Sequence, residues 1–214
     1  KMKKNTGVRI QKPLPTDYIA GVETGIIYKE VNPKGDWTVQ LPTDERQFGK
    51  FIDSMACVSF SALNSLEAQL NFMIYASPLS KESKWLVSNG FVDGSGLVNI
   101  SDRFTAKMSG TTHQGNYLGA VWDSIRNHGV LPEQDYPNDL DKFNWDLYYA
   151  EIPQALKDKA SKFLEIFETK YEWIPSKNDI EKHLKQAPIQ IITKVCTPWA
   201  VETIIPACGS GSQH

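Results

Sequence analysis

The sequence predicts an α+β fold, because its helix patterns come first along the chain and its main strand signal comes late. A helix is indicated between 54 and 75, where apolar residues recur every three or four positions, at Phe60, Leu63, Leu66, Leu70 and Met73. A buried strand is indicated at 188–192, a β-branched run that directly follows a predicted helix. Segregated patterns of this kind fit α+β better than alternating βαβ units.

The chain divides into three expected regions. Residues 1–50 are predicted to form an extended N-terminal arm, with four prolines, a turn at 32–35 and one candidate strand at 25–31. Residues 51–150 are expected to form a helical lobe whose first helix uses Asp53 or Ser54 as its N-cap. Residues 151–214 are expected to add a smaller lobe of helix and strand.

Three further helices are predicted after the first. One spans 117–128 and ends at Gly129, a residue that commonly terminates helices. The next begins at Pro153, which is favourable at a helix start, and carries apolar residues on one side as far as Phe167. A short helix follows at 179–185. The glycine-rich stretch 90–96 is predicted to be a surface loop.

Composition argues against several classes of partner. With a formal net charge of −2 and 22% charged residues, the chain gives no electrostatic reason to expect nucleic acid or an anionic membrane. No stretch approaches the roughly 18 apolar residues that a membrane span needs. No secretory signal is visible. No Cys-x-x-Cys pair is present, so no metal or cofactor is expected. A cytoplasmic or virion-associated location is favoured.

Cys57 is the residue whose position points to chemistry. It falls in the first turn of the predicted helix that begins near 54, where unpaired backbone N–H groups and the helix dipole favour an anion. A thiol in such a place has a lowered pKa, and its thiolate is the nucleophile. The alternative is a buried small hydrophobe, which is the commoner fate of a lone cysteine.

The residues around Cys57 resemble the papain family of cysteine peptidases. The run Cys-Val-Ser-Phe-Ser-Ala at 57–62 is similar to the family's nucleophile helix. Further along, in the family's order, come Asn-Ile-Ser-Asp at 99–102, Gln-Gly-Asn-Tyr at 114–117, Tyr-Pro at 136–137 and Ala-Pro-Ile-Gln-Ile-Ile at 187–192. The stretch 205–214, ending in a histidine, resembles the segment that carries the family's catalytic base.

The resemblance implies a two-lobe papain-like fold, with a helical lobe beside a partial β-barrel-like lobe, and a peptidase of the divergent phage or bacterial type. It implies that Cys57 is the nucleophile and His214 the base, acting on a peptide or protein substrate through an acyl-enzyme. By the same comparison, Gly115 and Asn116 would lie along the substrate backbone. Ile192 would line the pocket for an apolar substrate side chain.

The chain departs from the family pattern at several positions. The family's oxyanion glutamine lies six residues before the cysteine, where this chain has Phe51, so Asp53 or Gln47 would have to serve instead. Asn116 replaces a glycine and is expected to crowd the cleft. The asparagine that orients the family's histidine has no counterpart within the 214 residues. His113, in a loop near the presumed cleft, is a rival base.

Two other functions stay open at this level. A papain-fold protein that has lost activity could serve as a binding or structural module, for instance in a phage particle, and the missing oxyanion glutamine favours this reading. A cell-wall amide hydrolase could use the same Cys–His chemistry on another substrate.

Overall fold

The computed structural model describes residues 7–20, 30–43, 45–195 and 212–213. Seven α-helices lie in these ranges: α1 (Cys57–Ala76), α2 (Lys81–Ser88), α3 (Asp102–Met108), α4 (Leu118–His128), α5 (Trp145–Tyr148), α6 (Gln154–Ser161) and α7 (Ile180–Leu184). Short 3-10 helices occur at Thr38–Gln40, Glu133–Asp135, Lys162–Glu165 and Lys177–Asp179. Two strands of two residues each, β1 (Lys194–Val195) and β2 (Ser212–Gln213), pair in antiparallel fashion.

The predicted α+β, papain-like fold is wrong. The structure is 43% helix and only 7% strand, and no barrel-like lobe forms in the described ranges. The run 188–192 is not a strand, because side chains rather than a β-ladder hold it in place. The Gln190 amide donates to the carbonyl oxygen of Val58 (3.0 Å) and accepts from the indole N–H of Trp122 (2.9 Å). The candidate strand at 25–31 lies mostly outside the described residues.

The core forms around α1, as its apolar periodicity predicts. Leu63, Leu66 and Leu70 on α1 pack with residues of α2 and α4 and with Phe163 in one cluster. Burying a leucine side chain of this kind contributes roughly 1.5–3 kcal/mol. The predicted helices at 54–75, 117–128 and 179–185 correspond to α1, α4 and α7, while the helix predicted from Pro153 becomes α6 and a 3-10 turn.

A polar stripe on α1 fixes the chain that leads into α3. Glu67 and Asn71 lie one helical turn apart and accept hydrogen bonds from the backbone N–H groups of Ile100 (2.6 Å) and Val98 (2.7 Å). These two hydrogen bonds position the chain up to Ser101, whose hydroxyl caps α3 by accepting from Phe104 N (3.1 Å). The loop 90–96 before it is irregular, as predicted.

Candidate active site

Cys57 is the first residue of α1, so the helix begins later than the sequence predicted. The N-cap is Ala56, not Asp53 or Ser54. The reason is local: Asp53 Oδ1 accepts from Met55 N (3.0 Å), and Met55 takes a positive φ of 55°, which interrupts the helical path. The thiol still lies in the first turn, beside the N–H groups that lack helical partners.

The two oxyanion candidates come together in a small hairpin just before Cys57. Phe48 and Asp53 form an antiparallel bridge, and Ser54 N donates to Gln47 O (3.0 Å). Within the hairpin, the Gln47 amide donates to Asp53 Oδ1 (3.1 Å). An ionised Asp53 only accepts hydrogen bonds, and the Gln47 amide is engaged with it. The oxyanion role of either residue therefore stays a prediction.

Gly115 and Asn116 lie close to Cys57 through an intervening stretch of the N-terminal arm. Asn116 N donates to Gly7 O (3.0 Å), and Arg9 N donates to Asn116 O (2.7 Å), which forms a parallel bridge between Val8 and Asn116. A Cβ atom added at Gly7 would lie 2.9 Å from Cys57 Sγ. The backbone of the arm thus passes directly over the thiol.

The side chain of Asn116 does not crowd this cleft, contrary to expectation. It is 4% exposed and turns into the loop 109–111, where its amide donates to Ser109 O (3.1 Å) and Thr111 Oγ1 (3.2 Å). Its carbonyl oxygen accepts from Tyr117 N (2.8 Å). The backbone of Asn116 therefore pairs with the Gly7–Arg9 backbone, as the family's glycine would pair with a substrate backbone.

Tyr149 is a neighbour of the site that sequence reasoning missed. Its hydroxyl donates to Ser54 O (2.6 Å), and its ring packs beneath the start of α1 with Ala56. The pKa of Tyr149 is raised above its ordinary range by burial, with the Asp53 carboxylate and the Cys57 thiol adding to the effect. A half-buried tyrosine 92 residues after Cys57 carries no local pattern that would have revealed it.

Burial governs the protonation of the thiol in this conformation. It raises the pKa of Cys57 to about 11, and the N–H groups of Val58 and Cys57 oppose the rise while the Asp53 carboxylate adds to it. The expected lowering by the helix start is therefore outweighed. Cys57 is held as a neutral thiol at pH 7.

Of the remaining predicted residues, Ile192 and His113 lie in the described ranges and His214 lies outside them. Ile192 lines a cavity of about 720 Å³ together with Trp122, Tyr171 and Trp173, and Cys57 does not line it. The imidazole of His113 stacks on the Trp145 ring at 3.6 Å between centroids. His214 lies outside the described residues, so its role as base stays a prediction.

Buried carboxyl groups form a second cluster near the start of α3. Burial raises the pKa of Glu67 and of Asp102 well above the ordinary range, and raises that of Glu133 to about 8. Glu45 faces Asp102 and adds to the rise there. Among the described residues, no group of three or more His, Cys, Asp or Glu side chains could hold a metal ion. These carboxyls keep their protons instead.

Comparison with protein-family models, curated proteins and solved structures finds no match for this chain. The likeness to papain-type peptidases therefore stays a prediction from short motifs. In the part of the chain that the structure describes, no helix is both long and apolar enough to cross a bilayer.

Proposed function

We propose that the protein is a cysteine-type peptidase that hydrolyses peptide bonds through Cys57. One observation carries the proposal: the backbone of residues 7–9 is hydrogen-bonded to Asn116 and passes close to a thiol at the start of a 20-residue helix. A site that already holds a peptide backbone beside a nucleophile has the two parts that peptide cleavage needs. The proposal rests on this local arrangement and, for His214 as the base, on the resemblance of residues 205–214 to the papain family, but not on a papain-like fold.

The chemistry would proceed in two stages. His214 takes the proton of the Cys57 thiol, and the resulting thiolate attacks the carbonyl carbon of the substrate while the backbone N–H of Cys57 stabilises the oxyanion. The C–N bond then breaks, the leaving amine takes a proton from His214, and a thioester remains on Cys57. Water, deprotonated by His214, hydrolyses the thioester and regenerates the thiol.

A peptide-based electrophile tests the proposal. We expect a peptidyl vinyl sulfone to label Cys57 faster than a non-peptide vinyl sulfone of matched intrinsic reactivity, with site-specific labelling followed by mass spectrometry. Cys57→Ala should remove the labelled site. His214→Ala should slow labelling and peptide cleavage, whereas His128→Ala, at the end of α4, should not. Equal rates for the two electrophiles would contradict a peptidase.

A second candidate is a peptide-binding module without catalysis. The observation that favours it is the pKa of about 11 for Cys57, which leaves little thiolate at neutral pH. Such a module would bind peptides at the Asn116 edge and return them uncut, so incubation with a peptide library and mass spectrometry separates the two candidates.

A further inference from the structure

The stretch Gly7–Arg9 pairs with Asn116 through a single parallel β-bridge at Val8. Its two hydrogen bonds to Asn116 use backbone atoms only, which is the pattern of β-strand addition. Its side chains add further contacts, since Val8 packs against the core cluster to which Cys57 also belongs. The guanidinium of Arg9 lies 4.2 Å from the centroid of the Tyr117 ring.

The position over the thiol has no room for a side chain. Gly7 has a φ of +77°, and a Cβ there would lie 2.9 Å from Cys57 Sγ and 3.2 Å from Met55 O. Gly115 contacts Gly7 equally tightly from the other side, because a Cβ added at Gly115 would lie 1.8 Å from Gly7 O. Two glycines therefore face each other where the chain crosses Cys57.

We propose that this groove selects a peptide with a glycine of positive φ opposite Cys57, and that Gly7–Arg9 is its resident occupant. The favoured ligand continues with a β-branched apolar residue at the place of Val8 and a cation at the place of Arg9, over Tyr117. The inference deepens the proposed function and rests on it for the fate of the ligand, which is cleavage. Binding and selectivity follow from the groove alone.

Displacing the occupant should activate the thiol. With the arm in place, Cys57 is covered and its pKa is about 11, against an ordinary value of 9.0. Returning to the ordinary value raises the thiolate fraction at pH 7 about a hundredfold, and the accompanying loss of intrinsic nucleophilicity reduces the gain in rate to about tenfold.

The first test uses two glycine variants of the full chain. Gly7→Ala and Gly115→Ala crowd the contact from opposite sides, so each should increase alkylation of Cys57 by iodoacetamide about tenfold, as measured on the Cys57-containing peptide. Gly96→Ala is the matched control, because Gly96 has a similar φ of +82° but no atom within 4 Å of an added Cβ. Circular dichroism verifies that each variant is folded. Unchanged alkylation in both folded variants would overturn the inference.

The second test adds the ligand in trans. A synthetic peptide with the sequence Thr-Gly-Val-Arg-Ile should protect Cys57 in Gly7→Ala, whereas Thr-Ala-Val-Arg-Ile should not. Protection without cleavage would refute the peptidase and leave the inference standing. Equal protection by the two peptides, or none by either, would refute the glycine selectivity, whatever the outcome of the vinyl sulfone experiment.

Discussion

The buried carboxyl at Glu133 should make the protein less stable as the pH rises. Its pKa is raised from 4.5 to about 8, first by burial and then by the Glu45 carboxylate, against the opposing effects of Asn138 N–H and the Arg103 guanidinium. The unfolded chain releases this proton near pH 4.5, while the folded chain keeps it until about pH 8. Between these values the unfolded state binds fewer protons, so the free energy of unfolding falls.

The magnitude follows from proton linkage. One proton retained on folding lowers the free energy of unfolding by about 1.4 kcal/mol per pH unit, which amounts to at most about 4 kcal/mol between pH 5 and pH 8. Glu133→Gln removes the titration and keeps a carbonyl oxygen for the N–H of Asn138, with which Glu133 is hydrogen-bonded. We therefore expect the variant to lose less stability than the wild type over this range, by up to that amount.

Urea unfolding followed by tryptophan fluorescence at half-unit pH steps measures the effect. Because Glu133 also raises the pKa of Glu67 and of Asp102, the difference between the two pH profiles reports Glu133 together with its coupling to these two carboxyls. Glu168→Gln is the control, since the side chain of Glu168 is 78% exposed. Parallel profiles for the wild type and Glu133→Gln would refute the buried, protonated state of this carboxyl.

Two further substitutions test how the chain before α3 is held. Asn71→Ala removes the acceptor for Val98 N–H and should lower the free energy of unfolding by about 1–3 kcal/mol. Hydrogen exchange at the Val98 amide should become faster, and exchange as slow as in the wild type would contradict this prediction. Ser101→Ala removes the cap on α3 and should cost about 1–2 kcal/mol in urea unfolding, whereas Ser88→Ala, on an exposed helix end, should stay within about 0.5 kcal/mol.

The sequence was most informative where a segment buries one long apolar face. Helices α1 and α4 were predicted nearly to their ends, because their periodicity reflects the core they build. The short helices α2 and α3 were missed, although Ser80 and Ser101 cap them. Eight or fewer residues hold too few turns for periodicity to show, and α6, which is as short as α2, was predicted with the help of its Pro153 start.

The strand prediction at 188–192 failed for a different reason. A β-branched run indicates a half-buried extended chain, but whether a ladder forms depends on a second segment that no local pattern specifies. Here the run lies against α1 and α4, where the Gln190 side chain bonds the carbonyl oxygen of Val58 and the indole N–H of Trp122. The resemblance had assigned that strand to the family's barrel-like lobe, so the prediction of the lobe failed together with the prediction of the strand.

The contacts of the candidate site likewise divide into those that follow from closeness in sequence and those that do not. Gln47, Asp53 and Cys57 lie within a short stretch of chain, so their proximity followed from sequence distance. The pairing of Gly7 with Asn116 joins residues more than a hundred positions apart and could not be foreseen. Nor did any pattern indicate the positive φ of Met55, which sets where α1 begins.

Because Gly7–Arg9 is covalently attached to the domain that it occupies, every competing ligand must overcome a high local concentration of this segment. A tethered segment acts as if present at an effective concentration in the millimolar range, whatever the protein concentration. A peptide in solution with equal contacts would therefore half-displace it only at millimolar levels, and dilution would not help. Physiological ligands of this groove must either bind more tightly than the arm or arrive after something else has drawn the arm away.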